Sequence, residues 1–444
     1  MSSDFVVTTI GNTCEISTGF PFKSNGCCAK SDSIKLLRGD NIAQGSLRWD
    51  GVKRWNPEAL ERSVEAKYSL RSGDVVVAMD RPWIEAGLKF AAIQESDLPC
   101  LLVQRVACLR AGTSVDQGFL KYVVSDYAFT SHVLAVQTGT AVPHISSKQI
   151  AEYEFAAPPL EEQKAIAHIL GTLDDKIELN RKTNKTLEAM AKALFKSWFV
   201  DFDPVRAKAE GRSTGLPAEI SDQFPDSFED SELGEIPRGW RVAPVGDVVE
   251  CVGGSTPSTN EPDYWDGGEY FWATPKDLSS LSEPFLLDTA KKITADGVKR
   301  ISSGILPVGT VLLSSRAPVG YVAAACVPVS INQGFIALKS NGLMPSAYLL
   351  NWCLSNVQQF KDRASGTTFA EISKAAFRPI PLLAPSEQVA KSFSDKAQAL
   401  YERVVSNMRQ STLLGSIRDA LLPKLISGEI RIPEAEKMLE EVGV

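Results

Sequence analysis

Enzymatic chemistry in this chain would have to come from a few short constellations, and each is incomplete. Asp80-Arg-Pro-Trp83 is one residue away from the Asp/Asn-Pro-Pro-aromatic signature of amino-methyltransferases that act on adenine and cytosine. It lacks the second proline and has no glycine-rich cofactor loop upstream. Asp50 with Glu65-Ala-Lys67 imitates the metal site of a nuclease, but that spacing arises often by chance. No G-x-x-x-x-G-K-S/T phosphate loop occurs, so ATP hydrolysis is not expected of this chain. His132, His144 and His168 are too scattered to assemble zinc by spacing. The eight cysteines form no C-x-x-C pair, and vicinal Cys27 and Cys28 cannot readily bridge, so reduced thiols of a cytoplasmic protein are expected. None has a recognisable partner for nucleophilic catalysis. The reading is a non-catalytic chain with no metal and no cofactor of its own.

The elements behind these residues say more. At 444 residues, 44% of them hydrophobic and 23% charged, the chain is long enough for two to four domains with real cores. No apolar run of membrane-spanning length occurs, and the first residues show no basic segment followed by an apolar stretch, so neither a membrane span nor a secretory leader is expected. Of the net charge of −7, −6 resides in 201–239 (4 basic, 10 acidic residues), so the rest is nearly neutral and charge alone does not exclude a nucleic-acid partner.

The sequence repeats itself. Ile10-Gly11 and Gly19 match Val245-Gly246 and Gly254. Ser72-Gly-Asp-Val-Val-Val-Ala with Pro82 matches Val308-Gly-Thr-Val-Leu-Leu-Ser with Pro318. Gln104 to Leu109 matches Gln333 to Leu338, and Thr138-Gly-Thr with Ile145-Ser146 matches Ser365-Gly-Thr with Ile372-Ser373. The order and the slowly drifting offset indicate two copies of one module of roughly 200 residues.

Each copy opens with short β-type runs broken by Gly, Pro, Asn and Asp, then changes period. Ile166, Leu170, Leu173, Ile177, Asn180, Asn184, Leu187, Ala191, Leu194 and Trp198 form a heptad seam, echoed 227 residues later by Phe393, Leu400, Asn407, Leu414 and Leu421. A helix packed only on its own domain is the alternative, but about 38 residues at 1.5 Å each would make a rod of about 57 Å. The expected fold is α+β: two mixed α/β domains in pseudo-twofold repeat, joined by two long antiparallel coiled-coil helices. The expected boundaries are a first domain at 1–158, a central helix at 159–200 and an acidic, Pro-rich extended linker at 201–239. The linker is expected to dock by a few aromatics rather than to form a domain, and a second domain at 240–384, a C-terminal helix at 385–428, ended by Pro423 and Gly428, and a tail at 429–444 complete the chain. Asn180 and Asn407 fall at the two helix centres, where an antiparallel pairing brings them face to face and fixes register; solvent-facing asparagines are the alternative.

With these motifs in view, the chain resembles the specificity subunit of type I restriction–modification systems over nearly its whole length. The resemblance is carried by Pro158-Pro-Leu-Glu-Glu-Gln-Lys164, Leu173-Asp-Asp-Lys-Ile-Glu-Leu-Asn180, Ala193-Leu-Phe-Lys-Ser-Trp-Phe-Val-Asp-Phe202, Leu233-Gly-Glu-Ile-Pro-Arg-Gly-Trp240 and Leu421-Leu-Pro-Lys-Leu-Ile-Ser-Gly-Glu429. Leu37-Arg-Gly-Asp-Asn-Ile42 and Ala273-Thr-Pro-Lys-Asp-Leu278 add to it, whereas the second copy departs from the first motif and keeps only Glu387-Gln388. The resemblance implies two target-recognition domains, each reading half of a split double-stranded DNA target, with helices that set the spacer. It also implies two modification subunits that bind S-adenosylmethionine, and restriction subunits that use ATP and Mg. A coiled-coil scaffold that touches no DNA is the alternative.

Base readout needs Arg, Lys, Gln, Asn, Ser or Thr on loops that reach a groove. The candidates are Arg38, Asn41, Arg81, Gln104, Arg105, Thr138 and His144 in the first domain. Lys276, Arg316, Gln333, Thr367 and Thr368 are the candidates in the second. Gln104 with Gln333 and Gly139 with Gly366 are shared by both copies and are expected to support the fold; Arg38, Arg81, His144 and Lys276 differ and are better readers. Phe195, Phe199, Leu422 and Ile426 lie off the heptad seam and are candidates for a partner-docking surface.

Overall fold

A computed structural model describes residues 5–28, 30, 32–366 and 370–441. The chain divides into two compact units, Met1–Leu179 with Gln410–Val444, and Asn180–Arg409. Both divisions fall inside long helices, Leu160–Phe199 and Glu387–Ser427, so each unit owns one α/β domain, half of one helix and half of the other.

In the first unit the central sheet has strand order Cys14–Thr18, Val106–Ala111, Val75–Ala78, Phe90–Ala92, all antiparallel, with Val75 opposite Leu109. The fully buried run Val75-Val-Val-Ala78 is explained by its two faces. Val75 and Val77 enter a core with Phe119, Ile166 and Leu170, whereas Val76 and Ala78 enter a second core with Leu37, Ile93 and Leu102. A smaller sheet pairs Ile34–Leu37 parallel with Cys100–Leu102, and Val6–Thr9 pairs antiparallel with Glu154–Ala157.

The second unit repeats this plan. Its sheet runs Glu250–Val252, Phe335–Lys339, Val311–Ser314, Val322–Ala325, Phe285–Leu286, with Val311 opposite Leu338; Val311 and Leu313 face one core and Leu312 the other. Tyr270–Ala273 pairs parallel with Val329–Ile331, and Arg241–Pro244 antiparallel with Pro381–Ala384. Even a helix start is duplicated: Ser146 Oγ accepts the Gln149 N–H, and Ser373 Oγ the Ala376 N–H.

Within each unit the helix halves are antiparallel. In the first, Asp174 meets Arg418 and Glu162 meets Arg431; in the second, Asn180 and Asn184 meet Asn407, and Trp198 meets Phe393. The seam is not an isolated coil. Ile166, Leu170 and Leu173 share one core with Leu414, Leu421 and the domain residues Phe119 and Val123, so each helix half packs on its partner and on a domain together.

Two segments differ from the sequence reading. Residues 201–239 are not simply extended. They form helices Asp203–Ala209 and Ala218–Ser221 and a hairpin of Phe228–Ser231 with Gly234–Pro237, because Phe202, Val205, Phe224, Ile236 and Trp240 bury in the core of the second unit while the acidic side chains at Glu229, Asp230, Glu232 and Glu235 stay outside. Pro423 does not end the second helix. The helix continues to Ser427, since Leu421, Leu422, Leu425 and Ile426 are buried on both sides of the missing N–H, and Gly428 (φ +71°) terminates it. A further helix, Ile432–Glu441, occupies the place where a tail was expected, with Ala435 in the core of the first unit.

Candidate nucleic-acid interface

The sites lie at one end of each central sheet. In the first domain, Val75–Ala78 runs on through Met79 to Asp80, and the chain returns beside it at His144. A loop is closed there by two backbone hydrogen bonds, Thr138 N–H to His144 O (2.8 Å) and His144 N–H to Thr138 O (2.7 Å). Gly139 (φ +90°) makes the turn inside the loop, where a Cβ would stand 2.7 Å from the Val142 carbonyl. Asp80 is the hub: its Oδ1 lies 2.7 Å from His144 Nδ1 and 3.7 Å from Arg105 Nη1. Met79 N–H donates to the Arg105 carbonyl, and Arg81 N–H to the Pro143 carbonyl. His144 and Arg105 thereby meet at one carboxylate, with Arg81 and Thr138 held beside it by backbone hydrogen bonds, whereas Gln104 is fixed through its backbone N–H on the Phe20 carbonyl (3.0 Å).

The turn beginning at Arg38 sits close by. Gly39 packs near Ala78 and Lys89, and the Lys89 ammonium, whose pKa burial pushes down, is acted on by Asp40, Arg81 and Asp80 together. Arg38 projects to solvent, whereas Asn41 is committed to the turn: its Oδ1 accepts the Arg38 N–H (3.0 Å) and its Nδ2 donates to the Arg48 carbonyl (3.1 Å). Trp83, 40% exposed on the small hairpin Trp83–Ile84/Gly87–Leu88, stands three residues beyond Asp80.

The second domain builds the same constellation. Ser315 and Arg316 extend Val311–Ser314, and the loop is closed by Ser365 N–H to Glu371 O (3.0 Å) and Glu371 N–H to Ser365 O (2.9 Å). Arg316 Nη1 lies 3.8 Å from Glu371 Oε2. Lys276 is exposed on helix Pro275–Ser279, whose Pro275 abuts Gly334, and Ser315 N–H donates to the Gly334 carbonyl. Gln333 Oε1 accepts the Thr256 hydroxyl (2.5 Å). Thr367 and Thr368 lie outside the described residues.

With Val75 and Val311 both opposite the matching leucine of the neighbouring strand, Arg316 occupies the place of Asp80, and the counterpart of Arg81 is Ala317. Asp80 and Glu371 escape a sequence reading that favours cationic and amide side chains, although the repeat offset aligns them with Arg316 and His144.

The proposed docking residues are also corrected. Phe195, Phe199, Leu422 and Ile426 are all buried, the first two among Tyr348, Trp240 and Phe393, the last two among Leu173 and Leu421. The apolar face of each helix is wider than a heptad stripe because it serves a domain as well as the other helix, so these side chains leave no free surface.

At the helix centres, Asn180 Nδ2 donates to the Asn407 carbonyl (3.4 Å) and Asn407 Nδ2 to Asn184 Oδ1 (2.9 Å), while Asn184 Nδ2 donates to Glu283 Oε1 (3.3 Å). All three asparagines are at most 5% exposed. Among the described residues there is no group of three or more His, Cys, Asp or Glu fit to hold a metal, and no helix is long and apolar enough to cross a membrane.

The duplication also appears in comparison with known proteins. The family model for the type I restriction modification DNA specificity domain matches twice, over residues 2–189 and 237–400, and the chain belongs to that family. It is 27% identical over 419 residues to the type I restriction enzyme HindI specificity subunit of Haemophilus influenzae, covering 82% of this chain and 88% of that one. It is 34% identical over 192 residues to the MjaIX specificity subunit of Methanocaldococcus jannaschii, covering 43% and 44% of the two chains. Its fold is similar to the crystal structure of a type I restriction–modification S subunit from M. genitalium, with a TM-score of 0.56 and 14% identity over 95% of this chain and 96% of that one.

Proposed function

We propose that this chain is the non-catalytic DNA-reading subunit of a type I restriction–modification complex, each domain reading one half of a bipartite double-stranded target. One observation carries the reading: the same pair of backbone hydrogen bonds closes a loop at the same sheet end in both domains, with different side chains at its hub. Shared loop closure with divergent polar side chains at the hub is what two readers of different sequences require. The long helices set the spacer through their length and the buried asparagines, and with exposed positions they dock two modification subunits. S-adenosylmethionine belongs to those subunits, and ATP and Mg to restriction subunits, all within the cytoplasm.

The test is a domain exchange in the assembled methyltransferase. Replacing residues 1–158 with the matching domain of a related subunit is expected to change one half of the methylated sequence and preserve the other half and the spacer. A change in both halves, or in neither, overturns the two-reader assignment. A complex that shows no DNA binding across a salt series favours the scaffold instead.

A further inference from the structure

The hub position carries opposite charge in the two domains. Asp80 in the first and Arg316 in the second come directly after the same central strand, and each faces a residue of opposite or titratable charge across the same bridge, His144 or Glu371. We propose that this strand-end position determines base specificity in each half-site. Asp80 accepts a hydrogen bond from an exocyclic amino group such as that of cytosine, and Arg316 donates its two-pronged guanidinium to a guanine edge. The inference rests on the DNA-reading function proposed above and names the atoms that execute it.

Three features separate a reading role from loop support. First, the loops do not need these side chains for closure, since backbone hydrogen bonds close both of them. An ion pair between side chains this exposed, 36% for Arg316 and 45% for Glu371, adds little stability. Second, the groups are held yet not consumed. Both contacts of Asp80 fall on Oδ1, its side chain is 40% exposed, and the long Arg316–Glu371 separation of 3.8 Å leaves the guanidinium fork oriented but available. A partner that orients a reading group without saturating it is the arrangement a base contact needs.

Third, backbone strain is concentrated here. Among the described residues, the non-glycine positions with positive φ are Arg81 (+46°), Arg105 (+69°), Phe202 (+57°) and Ala317 (+54°). Arg81 and Ala317 directly succeed the two hub residues, and Arg105 is the one that pairs with Asp80. Left-handed residues other than glycine persist only where the surroundings enforce them, and they gather at functional sites. Both domains keep this turn while reversing the charge of the residue that precedes it. The same place therefore presents an acceptor in one domain and a donor in the other, as readers of different bases require. Carboxylates accept from the cytosine amino group, and arginine pairs bidentately with guanine O6 and N7.

The experiment uses the whole complex with its modification subunits, reading the methylated sequence by sequencing and DNA affinity across a salt series. Arg316→Ala is expected to lose preference at one position of one half-site by on the order of ten- to a hundredfold, leaving the other half-site intact. Arg316→Lys, which keeps the charge but not the fork, is expected to lose most of the same preference. Asp80→Asn is expected to relax a position in the opposite half-site. Unchanged preference in Arg316→Ala and Asp80→Asn complexes overturns the proposal while a successful domain exchange leaves the two-reader function standing. Uniform weakening on every sequence, with a shallower salt dependence, makes Arg316 a phosphate contact and also overturns it. Absence of sequence preference in the unaltered complex takes both readings down together.

Discussion

The two units share topology and register but are fastened to their helices by different chemistry. In the first unit the fastening is polar. Gln163, almost fully buried, donates to the Pro158 carbonyl (2.8 Å) and the Ser114 carbonyl (3.2 Å) and accepts the Asp116 N–H (2.9 Å), while Asp174 gathers Tyr122, Lys121 and Arg418. In the second unit the position of Gln163 is taken by buried Ala390, and that of Asp174 by Tyr401, which accepts from Asn351 (2.5 Å). Aromatic packing dominates there: Trp198, Phe199, Phe393 and Tyr348 lie edge to face, with Trp240 tilted against Phe199, where the first unit has Leu425, Ile426 and Ile166. The cause is the segment that each helix leads into. Phe199 leads into 201–239, which must be captured, and Trp198 meets Phe224 at 5.0 Å. Ser427 leads into a short amphipathic helix that Ala435 and aliphatic neighbours seat. A duplicated fold keeps its register while each copy adapts its fastening to its neighbour in the chain.

The largest effect should come from the aromatic side. Trp198→Ala removes a fully buried ring and is expected to cost about 3–5 kcal/mol, with residues 201–239 becoming the first site of limited proteolysis. Leu425→Ala, at the matching place in the first unit, is expected to cost about 2–5 kcal/mol with no such cleavage in 201–239. Identical proteolysis patterns would break the link between aromatic packing and linker capture. Next comes the motif glutamine. Gln163→Ala strips three backbone groups of a buried partner and is expected to cost about 1–3 kcal/mol in chemical denaturation, whereas Gln388→Ala, at an exposed site, should stay within about 0.5 kcal/mol. Equal costs would mean that the second copy's Glu387-Gln388 does the work of the first copy's motif after all.

That last contrast shows where sequence reasoning stops. The duplication and the long helices are legible because spacing encodes them: buried positions recur by three and four, and Gly, Ser and Thr recur where the loops close. The same recurrence points to Thr138, His144 and Arg316. Matching Glu387-Gln388 to the first motif is a similarity of letters; in three dimensions Gln388 faces solvent and Ala390 fills the buried position. Asp80 escapes for the opposite reason, since it shares a place with Arg316 but no letter. The docking of 201–239 through its aromatics is legible, but its helices and hairpin depend on Val205 and Ile236 also finding that core, which the acidic composition conceals. The breadth of the buried helix face, which claims Phe195 and Leu422, depends on packing against two surfaces at once.

The smallest effects are pH-dependent and of opposite sign in the two units. Burial pushes the Asp174 carboxyl up, but the adjoining Lys121 and Arg418 charges and hydrogen bonds outweigh that and hold its pKa below the ordinary 3.8. Its contribution is therefore fully present above about pH 4 and lost as the pH falls through its lower folded value. Asp174→Asn should lower stability by on the order of 1–2 kcal/mol at pH 7, and the deficit should shrink in acid. Glu188 lines a cleft of about 420 Å³ with Glu283, Asn351 and Tyr401. Burial first, and the nearby Glu283 charge second, raise its pKa from 4.5 to about 7. For a raised carboxyl the sign reverses: stability is complete below about pH 4.5 and declines as the pH rises towards 7. Glu188→Gln, neutral throughout, should match the unaltered protein at pH 4.5 and melt at a higher temperature at pH 8. The two profiles, tracked by calorimetry from pH 3 to 8, should diverge in opposite directions. An Asp174→Asn deficit that persists unchanged at pH 3 would mean the residue acts by packing rather than charge, and a Glu188→Gln gain equally large at pH 4.5 would say the same of the second unit.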